Sequence, residues 1–189
     1  MNHIHHTEAI VLSSYAKGEA DKQISLYTRE LGLVRAQARG IRNLSSKLRF
    51  ALQPYMVVQT DLIVARIAYR AGSTDLIFSP ESPDMEKLGL LGRVTSLVRR
   101  LVPEEEKNEP LFDSLIEVMK FLSKKDKVDT QSLELLAVFR ILYHLGYITG
   151  DGERSLVRET ITPELLAQVV LRRESLVEEV NKSLRETML

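Results

Sequence analysis

The spacing of apolar residues changes period once along this chain, near Ser79, and the change limits what each part can fold into. Before it, side chains alternate in twos; after it, apolar residues recur every three or four positions. The alternation is clearest from Leu33 to Gly40. Leu33, Arg35, Gln37 and Arg39 share one parity, and Val34, Ala36, Ala38 and Gly40 share the other. A strand sends successive side chains to opposite faces. Arg35, Gln37 and Arg39 are therefore expected in a row on one face, with small apolar groups packed behind.

The rest of the first part reads as β. Strands are expected over 7–14, 22–29, 55–64 and 65–77, with Gly72-Ser73 as a bend or bulge in the last. Turns fall at 17–21 and 30–32. A short helical insert is expected over 45–52, where Leu48 and Leu52 are spaced i, i+4, and Pro54 stops it. Five strands and one short helix predict a small closed barrel.

The second part reads as helices. Ser82-Pro83-Asp84 is a helix start, with Leu88, Leu91, Val94, Val98 and Leu101 on one face and Pro103 beyond the end. Pro110 opens a second helix, whose end Lys124-Lys125 complements. Asp129 or Thr130 caps a third, which runs through Leu145, is apolar almost all round and is expected to be the buried one. Residues 146–161, with Gly150-Asp151-Gly152, are expected as a loop. Thr162-Pro163-Glu164 starts a last helix or pair of helices. The expected fold class is α+β: a barrel domain over 1–79 and a helical bundle over 80–189.

Charge follows the same division. The formal net charge is zero, but residues 1–79 carry +4 (ten Lys/Arg against six Asp/Glu) and 80–189 carry −4 (sixteen against twenty). Five bases and no acid lie between Arg35 and Arg49. A localised field of this kind steers a polyanion even on a neutral protein. The chain has no cysteine, which excludes disulfides, thiol nucleophiles and cysteine-based metal sites. No signal-peptide pattern opens it and no apolar run approaches ~20 residues, so no membrane association is expected and the expected location is cytoplasmic.

The basic cluster has two readings: a solvated strand face, or a nucleic-acid site on a small barrel. In the second, Arg35, Arg39, Arg42, Lys47 and Arg49 neutralise phosphates, Gln37 adds a neutral hydrogen bond, and Tyr55 or Tyr27 stacks on a base. Tyr15 and Tyr69 are further candidate stacking platforms, against the alternative that a strand tyrosine packs its ring and hydrogen-bonds its hydroxyl. His3, His5 and His6 lack a third kind of ligand and are expected at a frayed terminus, with no metal. Gly18-Glu19-Ala20-Asp21 reads as a turn rather than an acid–base pair. His144 reads as a packed or rim histidine. No phosphate loop and no nucleophile–base arrangement is present, so no enzyme and no cofactor are expected. The arginines of the helical half (Arg93, Arg99, Arg100, Arg140, Arg154, Arg158, Arg172 and Arg173) read as a mixed surface whose rim suits an acidic amphipathic peptide. An adaptor whose barrel face binds an acidic protein is the alternative function.

The run 8–12, then Gly18-Glu19-Ala20-Asp21, then 27–32 resembles the start of the RecO family of recombination mediators. Ala38-Arg39-Gly40-Ile41-Arg42, 46–49 and Leu52-Gln53-Pro54-Tyr55 follow in that family's order, and 139–147, ending in Leu145-Gly146-Tyr147, resembles its central helix. The resemblance implies an OB-fold followed by a helical domain. It implies binding of single- and double-stranded DNA, annealing of complementary strands and assistance to recombinase loading in DNA repair. It names two partners: RecR, and the acidic C-terminal tail of the single-strand-binding protein, seated in a groove floored by the helix over 133–145. Many members carry a four-cysteine zinc site after the Leu-Gly-Tyr segment; this chain has no cysteine to build one. Its thermal unfolding is accordingly expected to be the same with and without a strong chelator, and elemental analysis of the purified chain to find no stoichiometric zinc.

Overall fold

Alternating side chains in the first part close into a barrel. A computed structural model describes residues 3–66, 68–80, 84–124, 128–149 and 154–186. The strands are β1 (Ile4–Lys17), β2 (Asp21–Thr28), β3 (Gly32–Ala38), β4 (Val57–Val64) and β5 (Tyr69–Phe78), with the four-residue helix α1 (Leu48–Ala51) between β3 and β4. Their order around the barrel is β1-β2-β3-β5-β4, with β1 also paired to β4. All neighbours are antiparallel except β3 and β5. This is an OB-fold barrel.

β1 is longer than expected and takes in His5 and His6. They pair with Leu62 and Asp61 of β4, and His6 Nδ1 lies 2.5 Å from Asp61 Oδ1. The expected frayed terminus is instead a paired strand from Ile4. β1 pairs with β4 over Ile4–Ile10 and with β2 over Ala9–Lys17, with a register shift between Val11 and Ser13 in the second ladder.

The interior is filled from every strand: Ala9 and Val11, Ile24 and Leu26, Val34, Ala36 and Ala38, Val58 and Leu62, and Ala71. Ile41, Ala51 and Leu52 complete it from the α1 insert. Burying a Val, Leu or Ile side chain contributes ~1.5–3 kcal/mol. The i, i+4 pair thus does what its spacing predicts: Leu52 is buried and Leu48 packs against the same cluster.

The chain forms two compact units. The first is Met1–Glu81 with Arg99–Phe112; the second is Ser82–Val98 with Asp113–Leu189. The segment 99–112, expected in the helical half, thus belongs with the barrel. Glu104 bridges Leu33 in parallel, Glu105 donates its amide to the Leu33 carbonyl at 2.9 Å, and the Arg29 guanidinium lies 4.6 Å from the Phe112 ring centroid.

Helices α2 (Met85–Leu101), α3 (Glu109–Leu122), α4 (Thr130–His144), α5 (Arg154–Arg158), α6 (Pro163–Leu171) and α7 (Arg173–Glu186) follow the barrel strands. Ser82 and Pro83, expected to open α2, lie outside the described residues, as do Lys125 and Gly150-Asp151-Gly152. Asp84 is the observed cap, accepting from the Lys87 amide at 2.9 Å. Asp129 caps α4, accepting from the Ser132 amide, and Thr162 caps α6, with Pro163 in the first turn. The last element is a pair of helices. α5 is a short turn of helix inside the stretch expected as a loop.

α4 is the buried helix. Its Arg140 is 1% exposed, and this corrects its assignment to a peptide-binding rim. Arg140 donates to Glu117 at 2.6 Å and to the carbonyls of Leu156 and Glu159 at 2.7 and 2.6 Å, while Glu117 accepts the Ile161 amide at 2.6 Å. The guanidinium is consumed in holding α3, α4 and α5 together. Arg93 is likewise engaged, gripping Glu134 with two bonds of 2.5 and 2.6 Å.

Two glycines with positive φ test how closely segment 99–112 packs. Gly32 has φ +67, and a Cβ there would lie 2.0 Å from the Glu106 carbonyl oxygen; Gly18 has φ +70 with nothing within 4 Å. Gly18→Ala should cost only the left-handed backbone penalty, ~1–2 kcal/mol. Gly32→Ala should cost roughly 1–3 kcal/mol more, because backbone must move to admit the methyl. Denaturant midpoints of the two variants measure the difference; equal costs would mean that Glu106 does not lie against Gly32.

Candidate nucleic-acid interface

β3 divides its side chains as its parity predicts. Val34, Ala36 and Ala38 are buried, Arg35 is exposed and Gln37 is half-buried on the opposite face. Directly opposed residues of paired strands share a face. Ser25 of β2 opposes Arg35, and Gln23 opposes both Gln37 of β3 and Tyr15 of β1. The outer face of β1, β2 and β3 therefore presents Tyr15, Gln23, Ser25, Arg35 and Gln37 together.

Segment 99–112 covers one end of this face. Tyr27 has the outward parity yet is fully buried; its ring lies 6.0 Å from that of Phe112, and its hydroxyl donates to the Asn108 carbonyl at 3.2 Å. Burial, followed by the charge of Glu106, pushes the Tyr27 hydroxyl far up from its ordinary value. No ring face is open to a base. The expectation of stacking at Tyr27 is corrected, because the strand position is outward but a later segment covers it.

The open end has a polar groove of about 490 Å³ lined by Tyr15, Lys17, Gln23, Arg35, Arg99 and Glu104, among others. Tyr15 is 54% exposed. Arg99 donates to its hydroxyl at 2.8 Å, with the guanidinium 5.5 Å from the ring centroid. Lys17 and Arg99 are thus neighbours of Arg35 that sequence order alone did not assemble. Glu104 is another: its carboxylate lies 2.6 Å from the Arg35 guanidinium. The acid-free stretch in sequence is not acid-free in space.

Arg39 follows β3 and is exposed. Asp21 organises the turn around it. It accepts from the Gly40 amide at 2.8 Å and the Gln37 side chain at 2.7 Å. Those two bonds, the Gly40 amide first, hold the Asp21 carboxyl below its ordinary value. Gln37 is therefore committed to Asp21. Arg42 is exposed and tied to the β1–β2 turn, donating from its amide to Ala20 and from its guanidinium to Gly18, both at 3.0 Å. Lys47 stands at the start of α1, exposed, and Arg49 turns its guanidinium over the Phe50 ring, 5.2 Å from the centroid. Tyr55 is half-buried with φ +72, its amide donating to Val11. Tyr69 is half-buried; burial, then the Glu105 carboxylate, push its hydroxyl up. The structure thus groups Arg35 with Lys17, Arg99 and Tyr15, and places Arg42, Lys47 and Arg49 on the insert that follows β3.

In the helical unit, a cleft of about 390 Å³ is lined by Phe121, Lys124, Val128, Asp129, Pro163, Leu166, Ala167 and Val170. α4 contributes to it only the capping residue Asp129, so the helix over 133–145 is not the floor of this cleft. Among the described residues no group of three or more His, Cys, Asp or Glu is placed to hold a metal ion, and with no cysteine in the sequence a four-cysteine zinc site does not fit this chain. No described helix is long and apolar enough to cross a membrane.

Residues 1–65 match the family model for the N-terminal part of recombination protein O, and 82–149 match that for its C-terminal part. The DNA repair protein RecO of Pelotomaculum thermopropionicum is 33% identical over 127 residues, 65% of this chain and 49% of that protein. That of Chlorobium phaeobacteroides is 30% identical over 167 residues, 86% of this chain and 63% of that protein. That of Caldanaerobacter subterraneus subsp. tengcongensis is 28% identical over 149 residues, covering 77% and 57%. The chain spans between 49% and 63% of the length of these relatives.

Asp21 gives the interface a pH dependence. Its folded-state carboxyl is depressed, so its stabilising bonds are present in full above the unfolded value and are lost as pH falls through the folded one. Thermal stability of Asp21→Asn should fall below that of the unaltered chain at neutral pH. The gap should narrow as pH drops from about 4. A gap that stays constant down to acid pH would contradict the role given to this carboxylate.

Proposed function

The chain belongs to the RecO family, and from that premise we propose that it is a DNA-binding recombination mediator of DNA repair. It binds single and double strands, anneals complementary ones and assists recombinase loading without itself being an enzyme. The observation that carries the reading is the outer barrel face on which Arg35 stands with Lys17, Arg99 and Tyr15, continued by Arg39 and the Arg42–Lys47–Arg49 insert. These cations neutralise phosphates and release counterions, a gain largely indifferent to sequence. Annealing follows because strands held by their phosphates lose mutual repulsion while their bases remain accessible. Tyr15, the exposed tyrosine on this face, supplies a ring for stacking in place of Tyr27, and Tyr55 is the second candidate. RecR and the acidic tail of the single-strand-binding protein are the proposed protein partners, and the nucleoid in the cytoplasm is the proposed location.

The Glu104–Arg35 pair favours a second reading, in which the same face binds an acidic protein. A carboxylate already sits on the key cation, so another could replace it. Binding that collapses with salt and is competed by unrelated DNA supports the first reading. Saturable binding of an acidic peptide without DNA affinity supports the second.

Arg35→Ala with Arg39→Ala should weaken binding to all oligonucleotides alike. It should flatten the slope of log affinity against log salt by roughly 0.7 per lost contact on single strands. Both side chains are exposed, so the fold should hold. Fluorescence anisotropy at several salt concentrations checks this, and an unchanged slope in the folded variant would remove these residues from the interface. Glu104→Gln should do the opposite. An exposed ion pair is worth ~0–1 kcal/mol, so affinity at low salt should rise by at most about fivefold. The gain should vanish when Arg35 is already alanine.

A further inference from the structure

The insert between β3 and β4 turns one aromatic residue outward. Of the five phenylalanines, Phe112, Phe121 and Phe139 are buried and Phe78 is partly buried, while Phe50 is 64% exposed. The reason is local. α1 points Leu48, Ala51 and Leu52 into the barrel core. At about 100° per residue, Phe50 is roughly opposite Leu48 and Leu52. The same turn of helix lays the Arg49 guanidinium over the Phe50 ring, 5.2 Å from its centroid. Arg42, Leu44 and Lys47 precede it on the same insert, and Leu44 is 86% exposed. No acidic residue lies in the chain between Arg35 and Arg49.

A lone exposed apolar residue is ordinary and calls for no occupant. Phe50 differs in its surroundings. It is presented with a cation at its ring and two more on the same short segment, all on an insert whose other side is anchored in the core. A polyanion drawn to Arg42, Lys47 and Arg49 brings with it flat apolar groups, the bases. An unpaired base has an open π-face that a phenyl ring can cover; a base inside a duplex does not.

We propose that Phe50 is a stacking platform for an unpaired nucleobase, with Arg49 holding the adjoining phosphate. This rests on the reading of the barrel as DNA-binding, and assigns to α1 the preference for single over double strands. The phosphate contacts hold either kind of strand; the ring rewards only the one whose bases are free.

The test uses the full chain with three DNA probes: a single-stranded oligothymidylate, a duplex of equal length, and an abasic single strand of equal length. Phe50→Ala should bind the oligothymidylate on the order of tenfold more weakly, the scale of losing one stacked base. Its affinity for the duplex and the abasic strand, and its salt slope, should be unchanged. Phe50→Leu, which keeps apolar bulk without the π-face, should show the same selective loss. The chain has no tryptophan, so Phe50→Trp adds a single reporter, whose emission should be quenched by the oligothymidylate and not by the abasic strand. Undiminished single-strand binding by Phe50→Ala, equal losses on all three probes, or an unquenched Trp would overturn the proposal while DNA binding stands. Failure of the unaltered chain to bind any of the probes would overturn the parent reading, and this one with it.

Discussion

The barrel closes on a parallel seam of two residue pairs, Ala36 with Tyr69 and Gln37 with Arg70. Every other junction is a longer antiparallel ladder. β3 must therefore pair on both sides while its inner face fits a narrow interior. Ala36 and Ala38 meet that demand, being small and buried. Because side chains alternate, the strand that satisfies the interior with alanines is free to place Arg35 and Gln37 outside. Closure thus constrains the inner positions of β3 and leaves its outer ones open to charged and polar side chains.

Tertiary structure then decides how much of that face remains open. Segment 99–112 covers Tyr27 and Leu33 and brings Glu104 to Arg35. At the other end Asp21 takes Gln37 and the Gly40 amide. The two acids act differently. Asp21 is bonded to backbone and holds the turn from which Arg39 and Arg42 project. Glu104 makes an exposed pair, and such a contact yields readily to a phosphate or to salt. One acid builds the site; the other competes for it.

What was legible in the sequence was what depends on neighbours along the chain. The parity of 33–40 placed Arg35 outward and Val34, Ala36 and Ala38 inward; the spacing of Leu48 and Leu52 seated α1; Thr162 announced its cap, and the start of α4 was narrowed to Asp129 or Thr130, of which the structure uses Asp129. What was not legible depends on residues far apart. Tyr27 has the parity of an exposed residue and is covered by Phe112 and Asn108, about eighty positions later. Arg140 looks like a surface charge, until Glu117 and two carbonyls are found around it. The return of 99–112 to the barrel has no local signal, because Pro103 reads only as the end of a helix.

Phe50 falls between these classes. The i, i+4 spacing that buries Leu48 and Leu52 also places Phe50 on the far side of the turn, so its exposure follows from the same observation that predicted the insert. The charge pattern of the sequence marks Arg42, Lys47 and Arg49 but carries no signal for the ring that follows them. Charge and apolar surface act over different ranges. Charge gathers any strand from about a Debye length away, ~8–10 Å in ordinary salt. A ring acts only in contact, and only on a base whose face is open. A surface that carries both can gather DNA by charge and sort it by contact, and on this chain the two meet in one turn of helix at Arg49 and Phe50.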